Sequence, residues 1–331
     1  MASAMSLPRS RPTRFILGAI VGIVLLALTL ARVDLGQTVG VITGAAPAWL
    51  VVGIGVVLVD LLIRGVRWRT LLSGLGAGDR VPLILAIAYL TIGYLANVLL
   101  PARLGDLARA YLAGASFRLA RLAVLGTVVI ERVADGGTML VLAVASSLVV
   151  AGIATVRTLI GLGLVLTAAG VAVLLVGWWL TAGTALGSTS LGRRVADLAG
   201  RIGAGTAALR RPGGALTVAV ATLAAGGTAT LTAWIVAHAV GIDLPPAQAA
   251  LFMSSVALSL AIPAAPGSIG TYEFVGVTVL TSLGYGAAQA LATMVLLRAV
   301  STFPAIALGF VSTWLLHLRP ATLLETTNAD A

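Results

Sequence analysis

The sequence predicts an all-α polytopic membrane protein with six full transmembrane helices plus two re-entrant helical hairpins, arranged as an inverted repeat. Three observations carry that prediction. The 331-residue chain is 59% hydrophobic and 10% charged, with a mean hydropathy of +1.08, far from a soluble domain. Apolar runs of about 17–25 residues, enough to cross a hydrocarbon core of about 30 Å, recur along its whole length. Two of these runs are broken at matching spacing, Pro101-x-x-Leu-Gly105 and Pro266-x-x-Ile-Gly270, with an offset of 266 − 101 = 165, half the chain.

Arg9, Arg11 and Arg14 precede the apolar run from Phe15 to Ala31. That run is long for a cleaved leader and is read as a first span with its basic end cytoplasmic. Arg32 to Ala46 is nearly charge-balanced and reads as an external loop. Pro47 to Ile63 forms the second span. It ends in Arg64-Gly-Val-Arg-Trp-Arg69, so Arg64, Arg67 and Trp68 are expected at the membrane interface. If Leu83 to Leu100 crossed fully, Arg103, Arg109, Arg118 and Arg121 would all lie outside, against the charge rule. The chain between Pro82 and Arg121 therefore enters and leaves on one face, with Pro101 and Gly105 at the hairpin tip. Leu122 to Val150 and Thr158 to Leu180 follow as spans.

In the second half, Ala215 to Val240 crosses outward. A second hairpin dips in from Ala249 to Pro263, turns at Pro266, Gly267 and Gly270, and returns to about Gly284. Ala287 to Leu316 crosses back. The resulting organisation is a cytoplasmic N-terminus (1–14), one transmembrane domain (15–318) and a cytoplasmic tail (319–331). The domain divides into halves at about 15–150 and 157–318, and a cytoplasmic amphipathic segment, 188–213, lies inside the second. Glycines 192, 200, 203 and 205 weaken that segment as a helix and leave a linker as the alternative. Arg132 and Arg298 sit in the spans after their hairpins with almost the same offset as the prolines (298 − 132 = 166), as expected of paired broken helices around a midplane site.

All 21 basic residues are arginine, which sit in short loops beside apolar spans. That pattern fits positive-inside topology and anionic headgroups and argues against nucleic acid. The absence of cysteine excludes thiolate chemistry, and only His238 and His317 offer imidazole, so no metal site and no cofactor are expected. A charge at mid-membrane costs about 2.5–3.5 kcal/mol, so each needs a partner, water or a role. Glu131 and Asp135 share a helical face at i, i+4, with Arg132 beside them. They are either a structural ion-pair cluster or the wall of a polar cavity. Arg103, Asp106 and Arg109 flank the first tip, and arginine suits phosphate because its planar fork donates bidentate hydrogen bonds. Surface anchoring is the alternative for Arg109, and the preferred reading for Arg118 and Arg121. Glu273 in the first turn of the second returning helix is either a cap or a partner for Arg132 or Arg298. Asp60 and Arg64 form an i, i+4 helical pair.

Together, Arg64-x-x-Arg-Trp-x-x-Leu-Leu72, Asn97-x-x-Leu-Pro-x-Arg-x-Gly-Asp106 with Arg109-Ala-Tyr, Glu131-Arg-x-x-Asp135 and Pro266-Gly-x-x-Gly-x-x-Glu273 resemble the flippase-like transmembrane family. This is the membrane region of bacterial lysylphosphatidylglycerol synthase/flippase proteins, and the resemblance runs from about residue 10 to 318. It implies lipid translocation or a lipid-linked role in a bacterial-type cell membrane, with both termini cytoplasmic. The chain is expected to lack the soluble lysine-transferring domain. The expected function is transport of an anionic, aminoacylated or polyprenyl-phosphate-linked lipid between leaflets. Arg103, Asp106, Arg109, Glu131, Arg132, Asp135, Glu273 and Arg298 would receive the headgroup. The alternatives are a membrane-embedded enzyme using a lipid-linked donor and a membrane partner of a lipid-modifying enzyme.

Overall fold

A computed structural model describes residues 11–77, 81–99, 104–150, 200–260 and 268–316. All secondary structure among them is helical. In chain order the α-helices are α1 (Arg11–Leu30), α2 (Leu35–Thr43), α3 (Pro47–Leu72), α4 (Leu83–Leu99), α5 (Gly105–Phe117), α6 (Arg121–Val149), α7 (Pro212–Ala239), α8 (Pro246–Ser259), α9 (Thr271–Ser282) and α10 (Ala287–Leu315). A 3₁₀ turn, Ala204–Arg210, precedes α7. The expected span Thr158 to Leu180 lies outside the described residues.

Among the described residues three helices are long and apolar enough to cross a membrane: Pro47–Ala77, Pro212–Ala239 and Ala287–Leu315. A fourth candidate is the pair Ile20–Leu30 and Leu35–Thr43, bent by 85°. The six full spans expected are thus not all met among the described residues. α6 matches α10 in length, 29 residues each, and carries Glu131, Arg132 and Asp135 in its middle.

Two boundaries differ from the sequence reading. The expected loop from Arg32 to Ala46 contains α2, whose start is set by Asp34: its carboxylate accepts the Gln37 N–H at 3.0 Å, satisfying an orphan donor of the first turn. The second span does not end at Ile63, because α3 continues to Leu72 and carries the arginine cluster as helix.

The hairpins are antiparallel helix pairs. On α4 and α5, Tyr89 Oη and Ser116 Oγ lie 2.6 Å apart near the open end. Near the tip the Gly105 N–H donates to Asn97 Oδ1 at 2.9 Å. On α8 and α9, Tyr285 Oη just past α9 donates to Gln248 Oε1 at 2.8 Å. α3 and α7 also run antiparallel, since Gly53 packs on Ile235 and Val236 while Thr228 Oγ1 donates to Asp60 and Arg67 donates to Thr222 Oγ1. The first hairpin packs on α10, where Gly309 meets Thr91 and Leu95. The second packs on α6 through Met139, Leu140, Ala143 and Leu258.

Close backbone approach makes Gly105 specific. A Cβ there would overlap Gly93 O and come within 2.6 Å of Asn97 N, both backbone atoms that no rotamer change can move. Gly105→Ala is expected to cost about 1–3 kcal/mol by forcing α4 and α5 apart, seen as a lower melting temperature in detergent. The 3₁₀ turn is held the same way. Gly205 lies against Gly126 and Thr127 of α6, and Gly74 lies against Ala208. Within 204–210, then, Gly205, one of the glycines that weaken a free amphipathic helix, is a packing contact.

Apolar side chains face outward as well as inward, and charges are buried among them. Leu148 (82% exposed), Trp314 and Ile84 point outward, while Arg67, Arg109 and Glu131 are buried. A protein in water keeps such charges outside and covers such large apolar side chains; this is a helical membrane protein.

Candidate functional site

The buried charges form one alternating ladder across α3, α5 and α6. At one end Asp60 Oδ2 accepts from Arg64 Nε at 2.7 Å. Arg64 Nη1 continues to Asp135 Oδ2 at 3.1 Å. Both Asp135 oxygens accept from Arg67, one of them from Nη2 at 3.2 Å. Arg67 Nε turns to Glu131 Oε1 at 3.3 Å, and the other Glu131 oxygen accepts from Arg109 Nη2 at 2.8 Å. Arg109 Nε lies 3.4 Å from Asp106 Oδ1. Asp106 ends the series by taking a bidentate fork from Arg132, at 3.1 Å from Nε and 2.9 and 2.8 Å from Nη2.

Helical spacing builds this array. Asp60, Arg64 and Arg67 stand at i, i+4 and i+7 on α3, one stripe, and face Glu131 and Asp135 at i, i+4 on α6. The centre is sealed, with Arg67, Glu131 and Arg109 side chains 2–3% exposed. Exposure rises away from the centre, to 17–18% at Arg64 and Asp60, 23% at Asp135 and 45% at Arg132, the most open rung. Four carboxylates balance four arginines, so the apolar bundle holds no net charge here. Arg109 Nη1, buried and without a hydrogen bond, belongs to a guanidinium set 5.1 Å over the Trp68 ring, and the ring face supplies cation–π attraction instead. Trp68 Nε1 in turn donates to Thr127 Oγ1 at 3.1 Å.

Arg67 and Trp68 both turn into the bundle: Trp68 is fully buried, and Arg67 is a central rung. Arg64 is paired on both sides, to Asp60 and Asp135. Asp106, Arg109, Glu131, Arg132 and Asp135 do come together. Arg103, Pro101, Pro266 and Gly267 lie outside the described residues, as does His317.

Glu273 and Arg298 form a separate site at the second hairpin. Glu273 serves both expected purposes: Oε2 accepts the Gly270 N–H at 2.7 Å, and Oε1 lies 2.8 Å from Arg298 Nη2. Arg298 also lies 4.3 Å over the Tyr272 ring. Gly270 has φ +90°, and a Cβ there would overlap Gly22 O of α1, so glycine is required twice over. Arg121 stacks 3.8 Å over Tyr111. His238 packs on Trp234 at 4.1 Å and on Trp49 at 5.8 Å, and the two tryptophan rings also meet edge to face. Among the described residues no group of three His, Cys, Asp or Glu could hold a metal.

The family profile described as the lysylphosphatidylglycerol synthase TM region matches residues 15–309. The chain belongs to that family. The lysylphosphatidylglycerol synthase membrane region thus includes every charge of the ladder and the Glu273–Arg298 pair. One curated relative is named glycosyltransferase AglD, from Haloferax volcanii. It is 26% identical, over 96% of this chain and 56% of its own length. The chain therefore spans about half the length of the curated relative it matches. In a member of this membrane family, a neutral ladder more exposed towards its ends can exchange one internal partner for an external one: a phosphate for a carboxylate on arginine, or an ammonium for an arginine on a carboxylate.

Proposed function

We propose that the chain is a lipid flippase-like transporter. It moves an anionic, aminoacylated or polyprenyl-phosphate-linked lipid between the leaflets of a bacterial-type cell membrane, with both termini cytoplasmic and membrane lipids as its partners. The observation that carries this reading is the ladder itself. Eight alternating charges lie in the middle of an apolar bundle, closed at the centre and more exposed towards the ends. Buried ion pairs are a poor source of stability, because desolvation offsets much of their attraction. Their value here is in recognition. The fork that Arg132 gives Asp106 matches the oxygens of a phosphate equally well.

Alternating access would follow from an inverted repeat. Several features support that arrangement. α10 starts 166 residues after α6 (287 − 121 = 166) and has the same 29-residue length. Each follows an antiparallel hairpin, and each hairpin packs on the long helix of the other half. α3 and α7 cross antiparallel, as helices related by a two-fold axis in the membrane plane must. Arg132 and Arg298 each pair with a first-turn carboxylate of the preceding hairpin, Asp106 and Glu273.

The test is leaflet exchange by purified protein in vesicles holding a trace of fluorescent phosphatidylglycerol. The fraction quenched by an impermeant reductant should rise beyond the outer-leaflet share and depend on protein. No rise over empty vesicles, for phosphatidylglycerol and for aminoacylated and polyprenyl-phosphate probes alike, overturns the reading.

The name of the relative favours a second reading, a membrane-embedded enzyme acting on a lipid-linked donor with Glu131 or Asp135 as base. Both carboxylates are already engaged by arginine, so an arginine would have to let go before either could take a proton. A covalent product from pure protein and a labelled lipid-linked sugar would establish it.

A further inference from the structure

Arg109 is the ladder's least hydrogen-bonded buried arginine. Arg64 spends donors on Asp60 and Asp135, and Arg67 on Glu131, Asp135 and Thr222. Arg109, 2% exposed, makes one hydrogen bond among the described residues, from Nη2 to Glu131, and leaves Nε and Nη1 without one. A buried guanidinium so sparsely bonded is costly unless something else holds its charge. The Trp68 ring does so, 5.1 Å from the guanidinium carbon, because a ring face attracts the cation without giving its N–H groups an acceptor oxygen. We infer that Trp68 is a positioning residue: it keeps Arg109 in place with donors unspent, so that Arg109 joins Arg132 in gripping a headgroup phosphate. The inference rests on the transport reading above.

Two features support that role. The first is that both arginines share one carboxylate. Asp106 Oδ1 accepts from Arg132 Nη2 at 2.9 Å and lies 3.4 Å from Arg109 Nε. A phosphate that displaces Asp106 from Arg132 puts an oxygen where this one stands, within reach of the inner arginine too. The ligand takes the place of a side chain rather than of an empty volume. The second is how firmly the ring is set. Trp68 is fully buried, and its Nε1 donates to Thr127 Oγ1 at 3.1 Å. Thr127 gives its own proton to Val124 O at 2.6 Å, which leaves its oxygen to accept. Thr127 and Glu131 stand at i, i+4 on α6, so one helical face fixes both the ring and the guanidinium. The Arg109 shaft runs against Gly93 of α4, where an added Cβ would lie 3.1 Å from Arg109 Cδ.

The test places progressively fluorinated tryptophan at position 68 by nonsense suppression. The ring keeps its outline and its Nε1–H, while each fluorine weakens the negative face that attracts a cation. In vesicles with a trace of fluorescent phosphatidylglycerol, leaflet exchange per folded protein should fall stepwise, about tenfold with the most fluorinated ring. Trp68→Leu should show the same loss in its folded fraction. Fluorination of Trp49, near the other end of α3, should cause none. A second readout does not need transport: phosphatidylglycerol added in detergent should raise the melting temperature, and that rise should shrink along the same series. Exchange that ignores fluorination, or a folded Trp68→Leu protein that exchanges lipid at the wild-type rate, overturns the inference and leaves transport standing. A lipid-induced rise that shrinks with fluorination, in protein that exchanges nothing, keeps the grip and removes transport.

Discussion

Glu131→Ala is expected to destabilise the protein by about 3–5 kcal/mol, the loss typical when one partner of a buried pair is removed. Glu131 accepts from Arg67 on one oxygen and from Arg109 on the other, and all three side chains are 2–3% exposed. Its removal leaves two guanidinium groups facing each other in an apolar bundle. Arg67 retains Asp135, whereas Arg109 keeps, among the described residues, the longer contact to Asp106 and the Trp68 ring. The measurement is the melting temperature in detergent, with expression yield as a second readout. Glu131→Gln should lose less, because an amide oxygen still accepts a hydrogen bond. A Glu131→Ala protein that melts like the wild type would mean that the central rungs are hydrated, and the sealed-centre description would fail with it.

This ladder also marks how far the sequence could be read. The breaks that separate α4 from α5 and α8 from α9 were legible because proline and glycine interrupt apolar runs at Pro101–Gly105 and Pro266–Gly270, and lipid tolerates such breaks only where protein or water covers them. Glu131, Arg132 and Asp135 were legible because charges inside a 29-residue apolar helix need an explanation. Arg67 and Trp68 were not. Positive-inside counting treats every arginine beside a span as an anchor, and it ended the second span at Ile63. The available signal was the stripe Asp60, Arg64, Arg67 at i, i+4, i+7, which continues one helical face and supplies the bases that Glu131 and Asp135 require. Which acid meets which base depends on how α3, α5 and α6 cross, and no local pattern holds that information. The short helix α2 was missed for a smaller reason: Asp34 was counted as a loop charge, not as a cap.

Arg132→Ala should abolish leaflet exchange while leaving the fold nearly intact. Arg132 is 45% exposed, and an ion pair that open contributes about 0–1 kcal/mol, so the melting temperature should barely move. Function should respond very differently, because Arg132 is the rung from which an incoming phosphate can displace Asp106. Arg132→Lys distinguishes a fork from a point charge. It keeps the charge but not the bidentate geometry, and partial exchange is expected. The exchanged pair Asp106→Arg with Arg132→Asp separates recognition from bracing. If the Asp106–Arg132 contact only braces α5 against α6, the double variant regains activity along with the contact. If Arg132 receives phosphate, the double variant stays inactive despite a restored ion pair, because the carboxylate now occupies the receiving position and repels the headgroup. Arg298 provides the comparison at the other hairpin. Under alternating access Arg298→Ala should block exchange as completely as Arg132→Ala, since a lipid must pass both ends. Exchange lost in only one of the two would confine headgroup recognition to a single face and sink the paired-site mechanism.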